Sequence, residues 1–200
     1  MTRGHFVVFE GIDACGKSTQ ARRVARERDA HFVFEPGDTP LGAQLRQWLL
    51  DAQTPMTPAT ESLLMLSDRS HHVATVIEPA LASGTNVVAD RYFASTLAYQ
   101  GYGRGVSLDL LQAATELAIA QCRPELTVLI DIDIDTANER RARNAEDRFE
   151  SADAEFHERV REGYLDMARR DPHHWYVVDG RATPEQVAHV IDERLDAGGW

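Results

Sequence analysis

The stretch Phe6-Val7-Val8-Phe9-Glu10-Gly11-Ile12-Asp13-Ala14-Cys15-Gly16-Lys17-Ser18-Thr19 constrains this chain more than any other. Gly11 through Ser18 fit the pattern G-x-x-x-x-G-K-S/T, a loop that cradles phosphates. Two glycines let the backbone wrap tightly, so successive N–H groups converge on phosphate oxygens at a helix N-terminus, where the macrodipole also favours anions. Lys17 would reach the terminal phosphates, and the Ser18 hydroxyl would bind Mg2+. The expected nucleoside triphosphate contacts are therefore Gly11, Ile12, Asp13, Ala14, Cys15, Gly16, Lys17, Ser18 and Thr19. An apolar run precedes the loop and the helix-like Gln20–Arg26 follows it, which is the strand–loop–helix context the pattern requires.

The rest of the chain alternates strand and helix signals. Phe6–Glu10 is continuously apolar up to its last residue and reads as a strand buried on both faces. His31–Phe34, Val87–Asp90, Leu126–Asp131 and Trp175–Val178 read as four more strands. Helices are expected from the loop to about Arg28, over Leu41–Leu50, and from Pro58 through Ile77 with Thr57 as N-cap. Another is stopped by Ser83-Gly84, and others begin near Asp135, run to about Arg170 and span Pro184–Leu195. Leu108–Ala120 is apolar almost all round, so it is either deeply buried or covered by another subunit. This alternation predicts an α/β fold of three α/β/α layers, the P-loop NTPase fold, with a five-stranded parallel sheet and helices on both faces. One domain spanning 1–200 is expected, with a lid at about 140–151.

Composition removes several function classes. A formal charge of −11 argues against nucleic acid as the main partner. No apolar run is long enough to span a membrane, and no signal-peptide pattern opens the chain. Cys15 and Cys122 are too few for a disulfide framework, so a cytoplasmic protein with no membrane partner is expected. Asp131, Asp133 and Asp135 alternate like the start of a Ca2+ loop, but Thr136 and Ala142 stand where that loop needs Gly and Glu. They read instead as a strand end and a helix cap. The adjacent pairs His71-His72 and His173-His174 lack the i, i+4 spacing of metal ligands on a helix.

Asp90-Arg91 closes the third strand, at the sheet edge where open parallel sheets bind ligands. The arginines at 140, 141, 143 and 148 suit a lid that carries cations over a moving phosphoryl group. A nucleotide-dependent switch would need neither this second arginine site nor the arginine-rich lid, whereas a kinase needs both.

Four motifs then make the resemblance specific. They are Phe9-Glu10-Gly11-Ile12-Asp13 with Gly16-Lys17-Ser18-Thr19-Gln20; Glu35-Pro36-Gly37 with Thr39-Pro40-Leu41-Gly42; Asp90-Arg91-Tyr92 with Ser95 through Gly101; and Asp147-Arg148-Phe149-Glu150. In order and spacing, over nearly the whole chain, they resemble the thymidylate kinases. The resemblance implies transfer of the γ-phosphoryl of ATP to dTMP, giving dTDP, with Mg2+ and in a homodimer. It implies that Asp13 accepts from the sugar 3′-hydroxyl, Arg91 clamps the acceptor phosphate, and Asp90 acts through the metal and its waters. Ser95 would lie near metal and phosphates, Thr96 beside the thymine edge, and Tyr99 under the sugar 2′-carbon, where it excludes ribose. Arg69 would donate to thymine O4, and Glu35, Pro36 and Gln100 would also bind the acceptor. Because Ala14 and Cys15 are not basic, the catalytic cation would come from the lid, Arg148 first and Arg143 second, beside Lys17.

Three positions depart from the family pattern. Phe34 and Asp38 replace the Arg and second Gly of the commoner Arg-Glu-Pro-Gly-Gly loop, which removes a cation from the acceptor phosphate. Met65 stands where an aromatic ring usually stacks on thymine, and its thioether keeps part of that contact. Weaker acceptor binding is one expectation, and a kinase of another monophosphate such as dUMP, with relaxed base choice, is the alternative. Cys15 reads as a small loop filler rather than an oxidisable thiol.

Overall fold

The computed structural model describes residues 2–141, 149 and 153–200. Its sheet runs β1 (Phe6–Glu10), β2 (His31–Phe34), β3 (Val87–Asp90), β4 (Leu126–Asp131) and β5 (Trp175–Asp179) in chain order. In space the order is β2-β3-β1-β4-β5, with every pairing parallel. The central strand β1 thus pairs with β3 on one side and β4 on the other, and the crevice at this switch of direction opens at the strands' carboxyl ends.

The continuous apolar runs are explained by burial on both faces. Val7 and Phe9 point into one core with Val24 of α1 (Lys17–Glu27), Val160 and Tyr164 of α8 (Ala154–Arg170), and Ile191 of α9 (Pro184–Ala197). Phe6 and Val8 point the other way, against Val73, Ile77, Leu81 and Ile119. Sheet and helices therefore form the expected three layers.

Helix starts follow their caps. Thr39 caps α2 (Pro40–Leu50) and Thr57 caps α3 (Pro58–His72), each followed by proline at the first helical position. Thr183 and Gln186 form a capping box on α9. Asp133 Oδ1 accepts from Thr136 N at 2.7 Å, the cap expected in place of a Ca2+ loop, at the start of α7 (Ile134–Arg141).

The long helix expected from Pro58 is interrupted. After α3 a π-helical turn, Val73–Ile77, leads into α4 (Glu78–Ala82), and a second π-helical segment, Leu97–Gly103, follows the short α5 (Phe93–Thr96). No sequence periodicity marks such a turn, and π segments concentrate at functional sites. The helix α6 (Leu108–Ile119) ends one residue early because Ala120 takes a left-handed conformation, φ 46°. It is not buried all round: Leu110 is 70% and Leu117 83% exposed, while Leu111, Thr115, Ala118 and Ile119 face the interior. Of the expected lid, residues 142–148 and 150–151 lie outside the described residues, and Arg143 and Arg148 lie there with them.

Candidate active site

The phosphate loop leaves β1 through Gly11 at φ 140° and enters α1 through Gly16 at φ 97°, with Ala14 between them at φ 64°. Positive φ at both glycines is the reason only glycine serves there. A β-carbon on Gly11 would also lie 2.5 Å from the Ile130 carbonyl oxygen. The side chains of Ile12 and Cys15 are buried in the core, so these two predicted contacts have only backbone to offer a phosphate. Burial pushes the Cys15 thiol up from its ordinary range, which fits a filler and not a reactive thiolate.

Next to the loop lies a cleft of about 360 Å³. Its lining brings together thirteen residues read from the sequence: Asp13, Lys17, Ser18, Glu35, Pro36, Met65, Arg69, Asp90, Arg91, Ser95, Thr96, Tyr99 and Gln100. The phosphate loop and residues of the other motifs thus share one cavity.

At its centre Arg91, itself in the left-handed region at φ 71°, donates through Nη2 to Asp13 Oδ1 at 2.5 Å and to the Tyr99 hydroxyl at 3.1 Å. Its Nη1 donates to the Gly11 carbonyl, Ser95 Oγ and the Tyr164 hydroxyl at 3.1–3.2 Å. The Tyr99 hydroxyl donates to Asp13 Oδ2 at 3.0 Å, and Lys17 Nζ lies 3.4 Å from Asp13 Oδ1. Burial by itself would raise the Asp13 carboxyl, but the Arg91 and Lys17 charges hold it well below the usual carboxylate range. The Tyr99 ring is wedged edge-on between Phe149 and Phe156, at centroid distances of 5.6 and 6.0 Å.

Beneath this network sits Glu10, the last residue of β1. Its carboxylate accepts from Tyr92 N, Ser95 N, Ser95 Oγ and the Tyr164 hydroxyl at 2.7–3.2 Å. It is fully buried, and burial raises its carboxyl despite Arg91 and these donors. Glu10 therefore fixes the β3–α5 turn that carries Arg91 and Ser95.

The wall carrying Arg69, Thr96 and Gln100 is as tightly determined. Arg69 could have been a solvated charge on a helix face; instead it is 2% exposed. Its Nε donates to Glu35 Oε2 at 2.7 Å, Nη1 to Thr96 Oγ1 at 2.7 Å and Nη2 to the Tyr92 carbonyl at 3.0 Å. Thr96 accepts from Arg69 and is no helix cap. Gln100 Nε2 donates to Glu61 at 3.0 Å.

The cleft also holds cations that no motif of the sequence marks. Phe34 does remove one positive charge, yet Arg46 of α2 and Arg22 of α1 line the same cleft. The Arg22 guanidinium lies 4.2 Å from the Phe32 ring centroid and that of Arg46 6.0 Å from Phe34, so two rings of β2 seat two arginines. Arg46 donates to the Pro36 carbonyl at 2.7 Å, and neither arginine has an ion pair among the described residues. A helical position one turn past Ser18, or eleven residues past Glu35, carries no local mark of this role.

Sheet order, phosphate loop and a facing cleft lined by arginines define the class as a P-loop nucleotide kinase. The family model for thymidylate kinase matches residues 9–191. The thymidylate kinase of Geobacter sulfurreducens is 44% identical over 209 aligned positions, covering 96% of this chain and 98% of its own length. That of Carboxydothermus hydrogenoformans is 44% identical over 200, covering 97% and 98%. The crystal structure of thymidylate kinase from Ehrlichia chaffeensis at 2.15 Å resolution matches with a TM-score of 0.79 at 30% identity, covering 96% of this chain and 99% of that one. The chain belongs to the thymidylate kinase family.

Proposed function

We propose that the chain transfers the γ-phosphoryl of ATP to dTMP, releasing dTDP and ADP. The carrying observation is the single cleft in which the phosphate loop faces Arg69, Arg91, Thr96 and Tyr99. ATP phosphates lie on the backbone N–H groups of Gly11–Thr19, with Lys17 on the terminal oxygens. Asp13, kept ionised by Arg91 and Lys17, accepts from the acceptor's 3′-hydroxyl. Arg69 has one N–H left on each terminal nitrogen after its three protein contacts, enough to donate to thymine O4 and to oppose the amino group of cytosine. Tyr99, held by two rings and two hydrogen bonds, closes the floor where a ribose 2′-hydroxyl would need room. Met65 packs on the base.

The acceptor phosphate shares Arg91 with Asp13, so the charge it needs is completed by Arg46 and Arg22. Its oxygen attacks the γ-phosphorus in line, through a loose transition state that cations stabilise. Arg148, then Arg143, are the proposed lid cations.

Mg2+ fits the residues present. Asp90 Oδ1 is buried without a hydrogen-bond partner at the cleft that Ser18 also lines, a hard oxygen donor set for such an ion. Among the described residues no three His, Cys, Asp or Glu side chains converge on a metal position. When bound, the ion neutralises charge on the β- and γ-phosphates.

A homodimer through α6 is also proposed, since Leu110, Leu117 and, on α3, Leu63 are exposed; sedimentation at micromolar concentration would show monomer only if this is wrong. Two free, buried cysteines support a reducing, cytoplasmic setting. No helix among the described residues is long and apolar enough to cross a membrane. The relatives lend no support to dUMP as the preferred acceptor.

The deciding test is ADP release from ATP and Mg2+ with dTMP, dUMP, UMP, dCMP, CMP, AMP and GMP supplied separately. Turnover with dTMP well above the rest is expected. Equal rates with dUMP would overturn the base assignment, and no acceptor-dependent release would overturn the kinase reading.

A further inference from the structure

Behind the base-facing arginine runs a chain of charges that never meets the cleft's centre. Arg69 Nε donates to Glu35 Oε2 at 2.7 Å; Glu35 Oε1 is 3.0 Å from His72 Nδ1; His72 Nε2 is 3.2 Å from Asp38 Oδ2. Arg69, Glu35 and His72 are 2%, 5% and 1% exposed, so these charges have little water to lean on. The order is cation, anion, cation, anion, so every buried charge has an opposite neighbour on each side except at the ends. One end, Arg69, faces the base. The other, Asp38, reaches the surface, with its side chain 20% exposed.

We propose that Asp38 and His72 are positioning residues for base discrimination: by pinning Glu35 from behind, they fix the one orientation of Arg69 in which its free N–H groups meet the base. This rests on the reading of Arg69 as the group that recognises the base. A carboxylate with two oxygens needs two restraints to lose its rotation. Arg69 supplies one, and the other comes from His72, whose ring is itself held at both nitrogens. Asp38 stands where the commoner loop has glycine, so the anchor is a feature of this sequence.

The charge state of His72 follows from its surroundings. Burial alone would lower it, but Asp38 and Glu35 from the loop push it up to about 9, and Asp68, on its own helix, adds to this. Arg69, also on α3, is paired with Glu35. The imidazolium therefore persists across neutral pH and donates from both nitrogens.

The experiment measures kcat/KM for dTMP and for dCMP with full-length wild type, Asp38→Asn, Asp38→Glu and Arg69→Lys, with thermal melts as the folding control. Asp38→Asn should lower the dTMP-to-dCMP ratio by about three- to tenfold, mostly through KM for dTMP, with kcat nearly kept. Asp38→Glu, which retains the carboxylate, should restore the ratio. In Asp38→Asn, KM for dTMP should also gain a pH dependence between 6.5 and 8.5 beyond that of wild type, as His72 loses its proton within that range. If Arg69→Lys lowers the ratio while Asp38→Asn leaves both it and the pH profile at wild-type values, the positioning role is overturned and the base reading stands. If Arg69→Lys also leaves the ratio unchanged, both fall.

Discussion

On the proposed reading Arg46 serves the anionic acceptor, and among the described residues it has no ion pair to give up. It is seated by the Phe34 ring and the Pro36 carbonyl, whereas Arg69 and Arg91 already face carboxylates. Arg46→Ala should therefore raise KM for dTMP about tenfold, the size of a charge-assisted hydrogen bond, and change kcat much less. Inhibition by thymidine, which has no phosphate, should be unaltered; an equal loss for both ligands would remove Arg46 from the phosphate. This residue also marks a limit of sequence reading. Lys17, Ser18, Asp90 and Arg91 were legible because loop spacing and strand ends mark them locally. Arg22, Arg46, Glu10 and Tyr164 were not, because their roles exist only once distant segments meet, as where the Tyr164 hydroxyl reaches Glu10 at 2.9 Å.

Helix α8 and the π-helical segment Leu97–Gly103 form the wall that positions Tyr99, and glycine is what lets them approach. A β-carbon on Gly163 would lie 2.6 Å from Cγ of the Tyr102 ring, and one on Gly103 would lie 2.5 Å from the Phe156 ring. Gly163→Ala should then push α8 outward and cost about 1–3 kcal/mol, lowering Tm by roughly 2–10 °C. Because Phe156 and Tyr164 move with α8, KM for dTMP should rise in step; a stable variant with altered KM, or an unstable one with normal KM, would show that the wall and the site are uncoupled. The inner strands β1, β3 and β4 were legible because a parallel strand buried on both faces writes an unbroken apolar run, and the half-exposed edge strands β2 and β5 because short β-branched and aromatic runs stand between turn residues. The π turns were not, since one extra residue in a helical turn leaves the apolar spacing nearly unchanged. The exposed face of α6 was equally silent, because apolar composition alone does not distinguish a core from an interface.

For the whole molecule, three buried groups, Glu10, Asp68 and His72, lean one way. Burial raises Glu10 and, helped by Glu35, raises Asp68 to about 6, while Asp38 and Glu35 hold His72 up near 9. A group whose pKa is higher folded than unfolded stabilises the fold below its unfolded value, and that contribution is lost as pH rises through the folded one. For Asp68 the loss falls between about 4 and 6, and for His72 between about 6.5 and 9. Asp13, held low by Arg91 and Lys17, works in the opposite sense, but its contribution is lost only as pH falls below about 4. The formal charge of −11 adds self-repulsion of the same sign as the His72 loss, since histidines shed charge over the same range. The free energy of unfolding should therefore decline from pH 6.5 to 9, by an amount on the order of 3 kcal/mol if His72 dominates. Urea titrations at half-unit pH steps would measure it. In Asp38→Asn the decline should be smaller and centred nearer pH 7, because the imidazolium has lost one of its two anions. A wild-type midpoint that is flat or rising across that range would mean that His72 is neutral in the folded protein, and that Glu35 is balanced by Arg69 alone.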